Sequence, residues 1–184
     1  MKIIETPIQD LLVIEPKVFR DERGYFFESY NNATAERIGV SYKFVQDNQS
    51  KSSKGTLRGL HFQNSTFSQA KLVSVSVGCV WDVAVDLRKS SPTFKKSFCI
   101  ELNDQTFRQL LIPRGFAHGF LCLSETAIFT YKCDNFYSKE NDGGIRFDDT
   151  DLEIEWPFPK NELIISQKDL NLPLLKDVED DLCF

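Results

Sequence analysis

This chain is poor in histidine and in metal-ligand spacings. Its 184 residues hold two histidines, His61 and His118, far apart in the chain, and a single methionine. No HxH or CxxC spacing occurs, so a three-ligand metal site is hard to assemble. No GxGxxG follows a strand-like run, no GxxxxGK is followed by Ser or Thr, and no GxSxG is present. Dinucleotide, P-loop and serine-hydrolase sites are therefore disfavoured, and neither a metal nor an organic cofactor is expected. Long apolar runs are missing too. The opening MKIIETPIQD meets Glu5 and Asp10 early, so neither a signal peptide nor a spanning helix is expected. Positive charge is in deficit: the net charge of −5 argues against nucleic acid or an anionic membrane as partner. The five cysteines are odd in number and unpaired in spacing, and read as small core residues of a reduced, cytosolic protein.

What is abundant is phenylalanine: sixteen, against nine glycines, which favours β-structure with an aromatic interior. Residues 3–14 suit an edge or arm strand broken by Pro7. Residues 21–24 form a turn before a strand over 25–27. Asn31 or Asn32 as cap and Gly39 as stop predict one short helix over 31–39. The polar QDNQSKSSKG segment, 46–55, reads as a loop. From 71 to 87, Lys71, Val73, Val75 and Val77 alternate with Leu72, Ser74 and Ser76. Beyond Gly78, Val83, Val85 and Leu87 alternate with Asp82, Ala84 and Asp86, giving two strands joined at a turn. Further strands follow over 98–102 and 107–112, and IPRGFAHGF (112–120) delivers His118 into another. In ETAIFTYKCDNFY (125–137), Ala127, Phe129, Tyr131 and Cys133 share a face. Many short strands between turn signals indicate one all-β domain, a sandwich or barrel, over residues 1–184.

The chemistry-bearing stretch is GTLRGLHFQ, 55–63. A histidine can take and return a proton at neutral pH, and an arginine fork suits carboxylate or phosphate. Arg58 and His61 together suggest proton transfer on an anionic substrate; a core histidine beside a surface arginine is the alternative. On a regular strand the two fall on opposite faces, unless Gly59 hosts a bulge. Lys71 either reaches solvent from a strand end or points into an apolar cavity, where it needs an anionic partner.

Seven motifs now stand in order: FRDERGYFFES (19–29), QDNQS (46–50), LRGLHFQ (57–63), the run 71–94, IPRGFAHGF (112–120), YKCDNFYS (131–138) and EWPF (155–158). Over essentially its whole length the chain resembles the dTDP-4-dehydrorhamnose 3,5-epimerase family of the cupin superfamily. The resemblance implies a cupin-type jelly roll with few short helices, and a cytoplasmic homodimer formed through an arm at residues 1–30. It also implies cofactor-independent inversion of a nucleoside-diphosphate 4-keto-6-deoxy sugar at carbons 3 and 5, serving rhamnose and O-antigen polysaccharide synthesis. His61 would be the base, Tyr131 the acid on the opposite face, and Lys71 the holder of the enolate oxygen. Asp169 would orient His61, although Ser166 to Asp169 also reads as a capping box, and Asp82 is a second candidate orienter. Substrate contacts would come from Arg23, Glu28, Gln46, Asp47, Asn48, Arg58, His118, Asp142 and Lys168, partly across the dimer. The chain departs from the family in KENDGG, around Asp142, and in Phe136 where a second tyrosine is frequent. Rival readings are single-centre epimerisation, 3,4-ketoisomerisation and a non-enzymatic sugar-binding cupin.

Overall fold

The computed structural model describes residues 1–37 and 39–184. Apolar residues give most strands a buried face, and two sheets close those faces on each other. The first sheet runs β1 (Lys2–Glu5), β2 (Leu12–Glu15), β10 (Gln109–Ile112), β7 (Lys71–Val77), β12 (Thr126–Cys133) and β5 (Gln46–Ser53). The second runs β13 (Asp142–Gly144), β6 (Thr56–Gln63), β11 (Phe116–Cys122), β8 (Cys79–Asp86) and β9 (Ser97–Asn103), with β14 (Ile164–Ile165) parallel to β6. Val73, Val75, Leu110 and Phe129 of the first sheet pack against Val80, Ala84, Phe116 and Phe120 of the second. This is the expected all-β, cupin-like sandwich.

The alternation at 71–87 does form two strands, but they are not paired with each other. β7 lies between β10 and β12, whereas β8 lies between β11 and β9. The chain changes sheets at Gly78, whose φ is +81° and whose missing Cβ would meet the Thr126 carbonyl. Val77, at this crossing, is exposed rather than inward.

The polar segment 46–53, expected as a loop, is the strand β5. It pairs residue by residue with β12, from Gln46 opposite Cys133 to Ser53 opposite Thr126. As an edge strand with one solvated face it needs little apolar content, and the ladder to β12 supplies its hydrogen bonds. The expected helix is α1 (Asn32–Arg37), with Asn31 Oδ1 accepting from the Thr34 N–H at 3.2 Å. Ile38, within that expectation, lies outside the described residues. A two-stranded hairpin, β3 (Phe19–Asp21) and β4 (Gly24–Phe26), pairs only with itself and holds Phe19, Tyr25 and Phe26 exposed.

A buried carboxylate ties the amino-terminal segment to the core. Asp86, fully buried, accepts from Arg88 Nε and Nη2 at 2.9 Å, Ser91 Oγ at 2.6 Å and Thr93 Oγ1 at 2.7 Å. Arg88 in turn donates to Asp10 and to the Gln9 carbonyl. Burial raises the Asp86 carboxyl pKa, but the Arg88, Ser91 and Thr93 hydrogen bonds outweigh it and hold it below its ordinary value. The folded state therefore binds this proton less readily, so the stabilisation is complete above the ordinary carboxyl pKa and is lost as pH falls through the native one. Asp86→Asn removes the buried charge that Arg88, Ser91 and Thr93 satisfy and leaves Arg88 only the exposed Asp10 carboxylate. It should cost about 3–5 kcal/mol and flatten the acid limb of a stability-versus-pH profile, which urea melts at pH 3 to 7 would register.

Candidate functional site

Arg58 and His61 are brought together by an irregularity in β6. His61 pairs with His118, and Arg58 with Phe120, so β6 spends one residue more than β11 between the two pairings. Gly59, at φ +121°, occupies this bulge, and an added Cβ would fall 2.6 Å from the Gly119 Cα. The parity conflict is thereby removed: Arg58 and His61 both line a cleft of about 630 Å³ between the sheets.

The same bulge serves the partner of the histidine. Asp169, only 3% exposed, places Oδ1 2.7 Å from His61 Nε2 and accepts the Gly59 N–H on Oδ2 at 3.4 Å. It stands in the short helix α2 (Gln167–Leu170), and Ser166 caps that helix by accepting the Asp169 N–H at 3.1 Å. The Ser166 half of the expected capping box is present, while the Asp169 carboxylate turns to His61 instead of returning to the cap. Burial raises its pKa, but the hydrogen bond and charge of His61, with Gly59 and Ser166, bring it below the ordinary value. With Asp169 ionised, the Nε2 proton is donated to it and Nδ1 is the basic nitrogen of His61.

Asp82 does not approach His61. It is fully buried and holds His118 Nε2 at 3.0 and 3.2 Å, forming a second histidine–carboxylate pair on the wall of the same cleft. Tyr131 enters from β12, on the other sheet, beside Phe129 at a centroid distance of 6.1 Å. Burial pushes its phenol above the ordinary tyrosine range, Cys133 adds to the rise, and Arg58 opposes it. Lys71 also lines the cleft, opposite Cys133 on β12. Among the described residues its ammonium has no ion pair or hydrogen bond. Burial pushes its pKa below the usual lysine range, with Cys133, Asp142 and Asp82 pulling the other way. It therefore points into the cavity and is not a solvated strand end.

Asn48 and Lys168 complete the cleft wall. Lys168 binds the Asp142 carboxylate at 2.6 Å, so Asp142 joins the site through Lys168 and not as a lining residue. Arg58 is aimed by Ser52 Oγ, which accepts its Nε at 3.1 Å, and by the Lys51 carbonyl. Four expected contacts lie elsewhere in the single chain. Arg23 is bound to Asp21 on the exposed hairpin, and Glu28 accepts from Asn31. Neither lines the cleft: Arg23 sits at the turn of the hairpin, which pairs with no other strand, and Glu28 lies beyond β4. Asp47 faces outward on β5 and pairs with Lys132 at 2.9 Å. Gln46 holds Asn48 and the Tyr137 N–H, acting one layer behind the surface. Reading the sequence missed Ser52, whose hydroxyl aims Arg58.

Among the described residues, no three His, Cys, Asp or Glu side chains gather as a metal cage, and no helix is long and apolar enough to cross a membrane. The arrangement offers a base backed by a carboxylate, a cation without a partner and a phenol on the facing wall, within one partly enclosed cavity.

Comparison with known proteins agrees. The family model described as dTDP-4-dehydrorhamnose 3,5-epimerase matches residues 5–177. The dTDP-4-dehydrorhamnose 3,5-epimerase of Salmonella typhimurium is 54% identical over 176 residues, covering 95% of this chain and 96% of that protein. The crystal structure of the Elizabethkingia anophelis enzyme of the same name superposes with a TM-score of 0.92 at 56% identity, covering 96% and 97% of the two chains. A Legionella pneumophila dTDP-6-deoxy-D-glucose-3,5-epimerase, solved in complex with dTDP-4-keto-L-rhamnose, gives a TM-score of 0.95 at 45% identity, covering 100% and 98%. The chain belongs to the dTDP-4-dehydrorhamnose 3,5-epimerase family.

Proposed function

We propose that this protein inverts carbons 3 and 5 of dTDP-4-dehydro-6-deoxy-D-glucose, giving dTDP-4-dehydro-L-rhamnose without a cofactor. The observation that carries the reading is the 2.7 Å His61–Asp169 pair in one cleft with Tyr131 and Lys71. Both carbons flank the ketone, so loss of either hydrogen as a proton delocalises the electron pair onto the carbonyl oxygen. One base and one electron sink therefore serve both centres.

His61 Nδ1 takes the proton, and Asp169 stabilises the imidazolium that forms. The Lys71 ammonium holds the enolate oxygen, in a cavity where a preorganised cation counts for more than in water. Tyr131 returns a proton from the opposite face, and exchange with solvent resets phenolate and imidazolium. Asn48, Arg58, His118 and Lys168 bind the substrate, Arg58 and Lys168 taking its anionic groups. Arg23 and Glu28, off the cleft in one chain, act on the substrate bound by a second subunit, with Gln46, Asp47 and Asp142 supporting. The exposed Phe19 and Phe26, at 53% and 70%, fit a cytoplasmic homodimer closed through the amino-terminal arm.

Incubation with the 4-keto sugar nucleotide under exhaustive chelation, followed by NMR of the product, tests the assignment. Inversion at both carbons is expected. Inversion at one carbon would make this a single-centre epimerase, ketone migration a 3,4-ketoisomerase, and binding without turnover a cupin sugar-binding module. Tyr131→Phe should fold normally and still exchange deuterium into the sugar, while net epimer falls by ~10²-fold for one lost acid. Parallel loss of exchange would instead assign the hydroxyl to forming the enolate.

A further inference from the structure

Among the described residues, Lys71 is the one charged side chain lining the cleft whose head group nothing holds. Arg58 is held by Ser52, Lys168 by Asp142, and Asp169 by His61. The Lys71 ammonium is therefore aimed from its backbone alone, and its flexible four-carbon stem passes on any movement there. That backbone is a strand end. Lys71 opens β7, paired with Ile112 on one side and Cys133 on the other. Local opening is easiest at such ends, unless something ties them down.

Asp134 supplies the tie. One residue before Lys71, the Ala70 carbonyl accepts the Asp134 N–H at 3.2 Å, and the Ala70 N–H donates to Asp134 Oδ1 at 2.7 Å. A carboxylate oxygen thus stands where a continuing ladder would offer a carbonyl. Asp134 Oδ2 accepts Arg114 Nε at 2.8 Å, from the turn between β10 and β11. The Asp134 side chain is only 3% exposed, and a buried carboxylate is tolerated where both oxygens are paired, as here. Next to it, Gln69 Nε2 donates to the Asn135 carbonyl at 2.8 Å. The end of β12, the start of β7 and the turn after β10 are gathered at the residue before Lys71.

We infer that Asp134 is a positioning residue for Lys71: it holds the start of β7 so that the ammonium meets the enolate oxygen. The inference rests on the reaction proposed above. It places the effect of Asp134 on kcat and not on nucleotide affinity.

Asp134→Ala removes the acceptor of the Ala70 N–H. Its kcat should fall ~10-fold, since a misplacement of about 1 Å can cost ~10²-fold, while the calorimetric Kd for dTDP stays within twofold of wild type. In a Lys71→Met background the same change should cost less than twofold, because no ammonium is left to misplace. Asp134→Asn keeps an oxygen for the Ala70 N–H and gives up the Arg114 charge pair. It should restore kcat to within threefold of wild type even if it melts as early as Asp134→Ala. A folded Asp134→Ala with kcat within twofold of wild type overturns the inference, as does an equal loss with and without Lys71, or a tenfold weaker dTDP Kd at unchanged kcat. If Asp134→Ala does not fold, Arg114→Ala, at a side chain 46% exposed, takes its place in the cycle. A loss of kcat confined to the protein that retains Lys71 then supports the inference, and no loss or an equal loss overturns it. Amide exchange at Lys71 needs no turnover and should quicken in Asp134→Ala with β11 unchanged. In a protein that never epimerises, the reaction is rejected, while a quickened Lys71 amide upholds the positioning role and an unchanged one removes it.

Discussion

His61→Asn is expected to lower epimerisation by ~10⁴-fold, the upper end of what one acid–base group supplies, while dTDP affinity stays within a few-fold of wild type. Asparagine is too short to reach the Nε2 position, so Asp169 loses its 2.7 Å partner and keeps the Gly59 N–H, and stability should fall somewhat as well. What disappears from the chemistry is the basic imidazole. The loss should be complete at both sugar carbons, since both deprotonations run through His61 Nδ1, with His118, held by Asp82 at 3.0 Å, kept for substrate binding. Asp169→Asn should fall between, keeping the imidazole but losing the charge that fixes its tautomer and stabilises the imidazolium. Steady-state rates and dTDP calorimetry on the two variants separate these outcomes. Equal, mild losses would remove His61 from the chemistry.

The second large effect is at Lys71, where activity and stability should move in opposite directions. Lys71→Met removes the cation from the enolate oxygen and should cost ~10²–10³ in kcat, the usual scale for one preorganised donor. The same change removes a half-buried ammonium that has no partner among the described residues and that its setting pushes toward the neutral form, so the melting temperature should rise. Burial holds the Lys71 pKa below the ordinary 10.5 in the folded protein. Between the native value and 10.5 the unfolded chain binds more protons at this position, so stability gains with rising pH across that window. Lys71→Met should erase that contribution. A variant both less active and less stable would mean that Lys71 is a structural residue with a partner of its own.

These two residues also show how far the sequence carries. The odd placement of Lys71 among valines was legible, because strand parity is strict wherever one face is buried. The strands at 71–77 and 79–86 were legible for the same reason, but their assignment to different sheets was not. Periodicity reports which face is buried and says nothing of which strand lies alongside. β5 was misread as a loop because its residues are polar on both faces; only the ladder to β12 makes it a strand. The pairing of His61 with Asp169, 108 positions away, could be named through resemblance alone, and local patterning offered a helix cap equally well. Gly59 was the one hint that Arg58 and His61 could share a cleft. Arg23, at the turn of the exposed hairpin, and Glu28, just beyond it, were read as substrate contacts and lie outside the cleft, because a motif shows which residues stand together in sequence and not which cavity they face.

Deuterium counting tests most directly the claim that one base serves both carbons. The wild-type protein, given dTDP-4-dehydro-6-deoxy-D-glucose in deuterated water, should place solvent deuterium at carbon 3 and at carbon 5, and His61→Asn should place it at neither. Deuterium at either carbon in His61→Asn at near wild-type rate would contradict the account.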